Sequence, residues 1–145
     1  MSAILGSWQT WALLSAAFAA LTAIFAKVGV QDVNSDFATF IRTVVVVVAL
    51  GLVLALTRQW QALGGVRPKA YLFLMLSGLG TGASWLCYFR ALQLGNASQV
   101  VPVDKLSVVF VAALAALFLG ERLSLTNWVG VCLIAVGAVL VALKV

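Results

Sequence analysis

The stretch FATFIRTVVVVVALGLVLAL, residues 37–56, carries one charge, Arg42, and five consecutive valines, Val44 to Val48. Valine favours strands in water. In lipid, however, the backbone must satisfy its own hydrogen bonds, and only helices and closed barrels do so. Barrel strands alternate apolar and polar residues, and this run does not. About 20 apolar residues cross about 30 Å of hydrocarbon, so the stretch predicts a transmembrane helix.

Four further apolar runs predict helices of the same kind, at residues 8–26, 70–94, 97–119 and 127–143. Hydrophobic residues make up 64% of the 145 residues and charged residues 9%, against about 45–50% and about 25% in soluble domains. The residues that fall near the predicted helix ends, as in an aromatic belt, are Trp8, Trp11, Trp60, Tyr71 and Trp128. The sequence therefore predicts an all-α membrane protein of five transmembrane helices, forming a single domain over residues 1–145, multi-pass in the cell (inner) membrane.

Composition argues against several other classes of protein. The basic residues, nine Lys and Arg against four Asp and Glu, are scattered singly, so no patch for nucleic acid is expected. Histidine is absent, and no phosphate-binding loop or nucleophile motif occurs. Cys87 and Cys132 lie in apolar runs and are expected to be buried, inert residues. We therefore expect neither an enzyme nor a bound cofactor or metal.

The distribution of basic residues predicts an orientation in the membrane. One side holds the four of the second and fourth connections, which are Arg58, Arg67, Lys69 and Arg122. The other side holds Lys27 and Lys144, so the positive-inside rule favours a cytoplasmic N-terminus and an outside C-terminus. If Arg42 and Arg90 snorkel to that outer side, the count becomes four against four, and insertion in both orientations is the alternative.

An odd number of spans bears on assembly. Many transporters contain two repeats of opposite topology, related by an axis in the membrane plane. A five-helix unit fused to a copy of itself acquires that inversion directly, whereas an unfused unit must pair with an oppositely oriented chain. We therefore expect either a homodimer or a heterodimer with a paralogue. If the chain inserts in both orientations, the homodimer would be antiparallel.

Asp104 and Lys105 are the charges placed deepest in a predicted helix. Asp104 and Lys105 lie seven and eight residues after the start of the run 97–119, about 10 and 12 Å along it, and Pro102 just before them predicts a kink. Charges at such depth favour a substrate or ion site. The alternatives are a structural ion pair or a helix that begins later. Adjacent residues point about 100° apart, so Asp104 is expected to pair with Arg42 or Arg90 instead of Lys105.

The intramembrane charges have a net positive sum. Arg42, Arg90 and Lys105 stand against Asp104 alone, so the predicted cavity suits an anionic or carboxylate-bearing solute. The alternative for the two arginines is a role as interfacial anchors. One face of the third helix carries polar and aromatic side chains, namely Thr81, Ser84, Trp85 and Tyr88. These side chains are expected either to line a polar path for the solute or to pack against neighbouring helices. Glycines spaced for close helix–helix packing are Gly78, Gly82, Gly130 and Gly137.

Several short motifs together resemble the EamA domain of the drug/metabolite transporter superfamily. They are Phe40-x-Arg42, Tyr88-Phe89-Arg90-Ala91-Leu92, Asn96-Ala97-Ser98, Pro102, Gly120-Glu121-Arg122-Leu123, and the last helix with Trp128, Gly130 and Gly137. The resemblance covers nearly the whole chain. The sequence departs from the family pattern in having one repeat where most members have two, and in having Asp104-Lys105 where an apolar pair is usual.

The resemblance implies export of a small solute by alternating access, with a cavity between two inverted repeats. In that hypothesis Arg42, Arg90 and Lys105 draw an anionic group, and Asp104 is a salt-bridge gate or proton site. Trp85 and Tyr88 shape the cavity. Two other functions stay open. A flippase of lipid-linked sugars is one, because some short relatives have that role, and a non-transporting subunit of a larger membrane complex is the other.

Overall fold

A computed structural model describes residues 7–143, apart from the side chain of Leu63. This part of the chain contains five long helices and no strand. They are α1 (Trp8–Gly29), α2 (Ser35–Thr57), α3 (Pro68–Leu94), α4 (Ala97–Leu119) and α5 (Leu125–Ala142). A single 3₁₀ turn, Leu63–Gly65, lies between α2 and α3. All five are long and apolar enough to span a membrane, which confirms the predicted fold class. The assignment of residues 1–145 to one domain stays a prediction.

Side-chain caps explain why two helices begin earlier than the apolar runs predict. The Asn34 side-chain oxygen accepts hydrogen bonds from the backbone N–H groups of Asp36 (2.9 Å) and Phe37 (3.2 Å), so α2 begins at Ser35 and not at 37. The Ser124 hydroxyl accepts from the N–H of Asn127 at 3.2 Å, so α5 begins at Leu125 and not at 127. Caps of this kind satisfy N–H groups that have no partner within the helix.

The ends of α2 and α4 use the left-handed backbone conformation. Arg58 follows α2 with φ 53°. Gly120 follows α4 with φ 68°, a conformation that glycine adopts without steric cost. The N–H groups of Gly120 and Glu121 both donate to the carbonyl oxygen of Ala115. This closing turn fixes the short connection to α5.

Helix α4 is interrupted where Asp104 and Lys105 lie. It consists of the α-helical segments Ala97–Asp104 and Ser107–Leu114 and a π-helical turn, Ala115–Leu119. Pro102 has no N–H, and its ring crowds the preceding turn. Just beyond it, Leu106 donates to the carbonyl of Val103 (3.0 Å), and Val109 donates to that of Leu106 (2.9 Å), each three residues back. The change of hydrogen-bond register thus lies C-terminal to Pro102, whereas the missing N–H and the ring of Pro102 affect the preceding turn, so the kink expected at Pro102 stays a prediction.

The described residues divide into two compact units. The terminal unit comprises residues 7–25 and 94–143, and the central unit comprises residues 26–93. In the terminal unit, both α-helical segments of α4 pack against α5, with Ala112 and Ala138 buried. The Gln99 side-chain amide donates to the carbonyl of Ala142 at 3.5 Å. The small alanine side chains permit close approach of these helices.

The central unit has a small core near the ends of its helices. Val30 and Leu92 are fully buried, and Phe89 is 3% exposed. Ser35 and Thr39 are also buried, and the Thr39 hydroxyl donates to the Ser35 carbonyl at 2.9 Å. That bond within α2 satisfies a polar group that would otherwise be costly in an apolar environment.

Most large apolar side chains lie on the surface of the single chain. Val47 and Val48 are each 64% exposed, which in lipid carries no hydrophobic penalty. Cys87 and Cys132 are exposed too, so their predicted burial is wrong. Lipid solvates a thiol in an apolar run without any need for protein neighbours. Of the residues used to predict orientation, Lys144 lies outside the described residues.

Candidate functional site

Arg42 of α2 stacks on two aromatic rings of α3. Its guanidinium carbon is 4.0 Å from the centroid of the Trp85 ring and 5.5 Å from that of Phe89. These distances are those of a cation–π interaction, which strengthens when the groups leave water. Arg42, Trp85 and Phe89, which we call the arginine–aromatic cluster, therefore hold a permanent cation inside two apolar spans.

The depth of the arginine–aromatic cluster argues against snorkelling by Arg42. Trp85 lies nine residues before the end of α3 at Leu94, about 13 Å along the helix. Arg42 lies seven residues after the start of α2 at Ser35, about 10 Å along it. A snorkelling side chain extends towards the interface, whereas this guanidinium is closer to Trp85 than to Phe89, which lies nearer the helix end.

The cluster has no carboxylate to balance its charge. Neither Arg42 nor Arg90 forms an ion pair with an acidic residue within residues 7–143. An arginine at the bilayer centre costs about 2.5–3.5 kcal/mol on insertion scales, which is an upper limit for Arg42, and aromatic stacking returns about 0.5–2 kcal/mol. A guanidinium that stacks on an aromatic face can still donate hydrogen bonds from its N–H groups.

Polar residues at the end of α3 form a second group that sequence reasoning missed. The Gln93 amide nitrogen donates to the carbonyls of Val30 (3.2 Å) and Val33 (2.7 Å), and its oxygen accepts from Arg90 Nη1 at 3.2 Å. Lys27 Nζ donates to the Leu92 carbonyl at 2.6 Å. We call these contacts the α3-end network. They fix Arg90 near the helix end and tie the connection after α1 to α3.

Signals for these missed residues were present in the sequence. Gln93 follows Arg90 by three residues, a spacing that places both on one helix face. Lys27 was counted only for orientation, although a lysine at a helix end readily reaches a neighbouring carbonyl. Phe89 was quoted only within a family motif. Its role beside Arg42 depends on the pairing of α2 and α3, which no local pattern specifies.

The rest of the predicted α3 face has mixed surroundings. Trp85 and Tyr88 are half-buried, and the Tyr88 ring meets Phe89 edge-on, with centroids 6.3 Å apart. Thr81 is exposed, and its hydroxyl donates to the Ser77 carbonyl of its own helix at 2.9 Å. Trp85 and Tyr88 therefore adjoin the cationic group, while Thr81 satisfies its hydroxyl locally.

In the terminal unit, Asp104 and Lys105 pair with each other. Lys105 Nζ is 3.4 Å from Asp104 Oδ2, with the lysine side chain 53% exposed and the aspartate 36%. The expectation that these adjacent residues point apart, so that Asp104 pairs with an arginine instead, was wrong. Lys105 lies in the interruption of α4, where ideal 100° spacing no longer applies, and its long side chain reaches back to the carboxylate.

The four glycines predicted to pack helices have open space where a side chain would begin. A Cβ built on Gly78, Gly82, Gly130 or Gly137 meets no atom within 4 Å other than its chain neighbours and the backbone of its own helix. No other helix therefore approaches these glycines closely within the described chain. Their role in packing stays a prediction, and it requires a surface that the described chain does not supply.

The chain matches the EamA-like transporter family over residues 6–143. It belongs to that family. The resemblance seen in the sequence is thereby confirmed, and with it the general function of this EamA-like chain as a multi-pass membrane transporter.

Three relatives show how length varies among proteins similar to this EamA-like chain. An "uncharacterized transporter in cobO 3'region" of Sinorhizobium sp. is 62% identical over 94% of this chain and 96% of its own. An uncharacterized protein of Methanocaldococcus jannaschii is 30% identical over 91% of this chain and 93% of its own. An "uncharacterized transporter" of Vibrio cholerae is 28% identical over 62% of this chain but only 30% of its own. No solved structure matches significantly.

Proposed function

We propose that this chain is half of a transporter that moves a small anionic or carboxylate-bearing metabolite by alternating access, working as a dimer. The observation that carries the proposal is the arginine–aromatic cluster. In it, an arginine deep within two apolar spans stacks on Trp85 at 4.0 Å and has no acidic partner in residues 7–143.

Charge balance supports an anionic solute. An uncompensated arginine in hydrocarbon is expensive, and the cost falls when a bound anion neutralises it. A guanidinium offers paired donors that fit a carboxylate in a bidentate manner, with bonds about twice as strong as those between neutral groups. The ring centroids of Trp85 and Phe89 lie 4.0 and 5.5 Å from the guanidinium carbon of Arg42, so the solute would meet the N–H donors that the rings leave uncovered.

The ion pair between Asp104 and Lys105 in the terminal unit is a candidate for the gate of the transporter. Lys105 is more than half exposed, and Asp104 is its only ion-pair partner within the described residues. A negative solute group that approaches Lys105 would compete with Asp104 for it. We propose that Asp104 acts as a salt-bridge gate or proton site, and that Lys105 and Arg90 help to attract the solute.

The lengths of the relatives support assembly from two chains. Since 92 residues are 30% of the Vibrio cholerae protein, that protein is about twice as long as this chain. The Sinorhizobium relative is matched over 96% of its length, so it has about the length of one five-helix unit. Five spans in one chain give a two-repeat transporter only if a second, inverted chain joins it. A second copy of this chain is the simplest partner, and a paralogue is the alternative partner.

Transport in proteoliposomes tests the proposed solute class. Uptake of radiolabelled carboxylates would be compared with that of neutral and cationic solutes of similar size. We expect saturable uptake of carboxylates only, and loss of that uptake in Arg42→Leu. Uptake that ignores charge, or that is unchanged in this variant, would contradict an anion-selective site.

Cysteine labelling tests the proposed inversion. Single cysteines replace Gln31, after α1, or Gln61, after α2, in a background lacking Cys87 and Cys132. Labelling of each position from both sides of the membrane would support an antiparallel homodimer. Labelling of each from one side only would contradict it, and the inverted partner would then have to be a paralogue.

A further inference from the structure

The start of α3 has a depression with a basic rim. It has a volume of about 300 Å³ and is lined by Arg67, Lys69, Ala70 and Phe73. This volume lies at the lower end of the range for small-molecule sites. It suits one head group better than a whole metabolite. The depression belongs to the central unit and is formed by three residues in the first two turns of α3 and by the residue before the helix.

The surrounding connection carries basic charge without acidic compensation. Residues 58–67, between α2 and α3, contain Arg58 and Arg67 and no acid, and Lys69 follows at once. By contrast, Asp32 lies in the connection after α1, and Glu121 accompanies Arg122 after α4. Within the described residues neither Arg67 nor Lys69 has an ion-pair partner. Their charges are therefore available to an external anion.

The depression lies at the start of a membrane-spanning helix, where charged residues give way to apolar ones. Arg67 precedes α3, and Phe73 lies in its second turn, 58% exposed. Lys69 Nζ is 6.0 Å from the centre of the Phe73 ring, at the limit of a cation–π contact. Trp60, 67% exposed, precedes this segment in the same connection, as expected of a residue at the interface. The depression thus has cations at its rim and an aromatic ring towards the hydrocarbon.

We propose that this depression binds the phosphate of an anionic phospholipid, with Arg67 and Lys69 on the phosphate and the first part of an acyl chain against Phe73. A free phosphate shares the charge but not the chain, so it would use the rim alone. A lipid would contact the basic rim with its phosphate and the apolar side chains with its acyl chain, and the depression is lined by residues of both types. This proposal does not depend on the solute or on the dimer.

Native mass spectrometry of the full chain, released from nanodiscs of phosphatidylcholine with increasing phosphatidylglycerol, tests the proposal. We expect one retained phosphatidylglycerol per chain, and a loss of about tenfold or more in its apparent affinity in R67Q/K69Q, because each basic residue near a surface contributes to attraction of anionic lipid. Phe73→Ala is expected to weaken lipid binding by several-fold. The matched control is R58Q/R122Q, which removes the same charge from the same membrane side but does not alter the lining of the depression.

Two outcomes would overturn the proposal. An equal loss in R67Q/K69Q and R58Q/R122Q would mean that general surface charge attracts the lipid. Displacement of phosphatidylglycerol by millimolar inorganic phosphate, with no effect of Phe73→Ala, would mean that the rim binds free phosphate. Circular dichroism of each variant shows whether the helices are retained, and the substitutions at exposed basic residues leave the core untouched.

Discussion

The central and terminal units place charge in apolar spans by different means. In the central unit, Arg42 stacks on Trp85 and has no acidic partner within the described chain. In the terminal unit, Lys105 pairs with Asp104 beside an interruption of α4. The first arrangement keeps a net charge and leaves donors unused, whereas the second is neutral as a pair. The unpaired cation of the central unit suits a site that must attract an anion. The ion pair of the terminal unit suits a gate, because such a pair can break and form again.

Removal of the charge at Arg42 has the largest expected effect. Arg42→Leu removes the donors to the solute, and two charge-assisted hydrogen bonds of about 1.5 kcal/mol each correspond to a fall in transport of about 100-fold. Arg42→Lys keeps the charge but loses the planar stack, so a smaller fall of about tenfold is expected. Proteoliposome uptake measures both. Arg122→Gln, which removes a charge at the membrane surface, is the control. A comparable fall in uptake in that variant would mean that the effect of Arg42 is one of general positive charge and not of the arginine–aromatic cluster.

Substitutions of the ion pair separate its structural role from its transport role. Asp104→Asn leaves Lys105 unpaired within an apolar span, so we expect a loss of about 1.5–3 kcal/mol in stability. The double variant D104N/K105M should regain that stability because no lone charge remains. Its transport should nevertheless fall about tenfold. Thermal unfolding in detergent and uptake measure the two quantities, and wild-type transport by the double variant would exclude the pair from the site.

Restoring the backbone donor at residue 102 tests the interruption of α4. Pro102→Ala permits a continuous α-helix through residues 102–106, and amide exchange there should slow by several-fold. If the interruption serves the gate at Asp104, uptake should fall by a few-fold while the helix becomes more stable. Hydrogen–deuterium exchange and uptake are the two measurements. Unchanged exchange would show that the turn at Lys105 and Leu106 does not depend on proline.

Loss of a helix cap has the smallest expected effect and should be similar in the two units. Asn34→Ala in the central unit and Ser124→Ala in the terminal unit should each lower stability by about 1 kcal/mol, because N–H groups at the helix start lose an acceptor. Thr126→Ala is the control, because the Ser124 hydroxyl supplies the cap of α5. Thermal unfolding of the three variants provides the comparison. A larger loss in Thr126→Ala than in Ser124→Ala would contradict the observed cap.

The fold was predictable because its determinants are local. The lengths of five apolar runs and the requirement that lipid imposes on the backbone decide the number and type of the elements. Ser124 and Thr126 both fit the pattern of a cap before an apolar run, and the hydrogen bond from the N–H of Asn127 identifies Ser124 as the cap. Asn34 was not used as a cap, so the start of α2 was placed two residues late.

The site was less predictable because it depends on which helices meet. Arg42 and Trp85 could be chosen as candidates from residue type, but their contact follows from the pairing of α2 with α3. The pairing of Asp104 with Lys105 was mispredicted because ideal helical geometry was assumed across a proline-containing turn. The α3-end network involves main-chain carbonyls of Val30 and Val33, and no sequence pattern identifies carbonyls that lack a helical partner.

The valine run of α2 offers rigid side chains to any protein surface that packs against it. A valine in a helix has one strongly preferred rotamer, so the side chains of Val44, Val45, Val47 and Val48, which are 44–64% exposed, have little rotational freedom left to lose. Ordering a flexible side chain at an interface costs about 0.5–1.5 kcal/mol. This surface of α2 is therefore already rigid before any contact forms, and association there would carry almost no entropic penalty from the side chains of this chain.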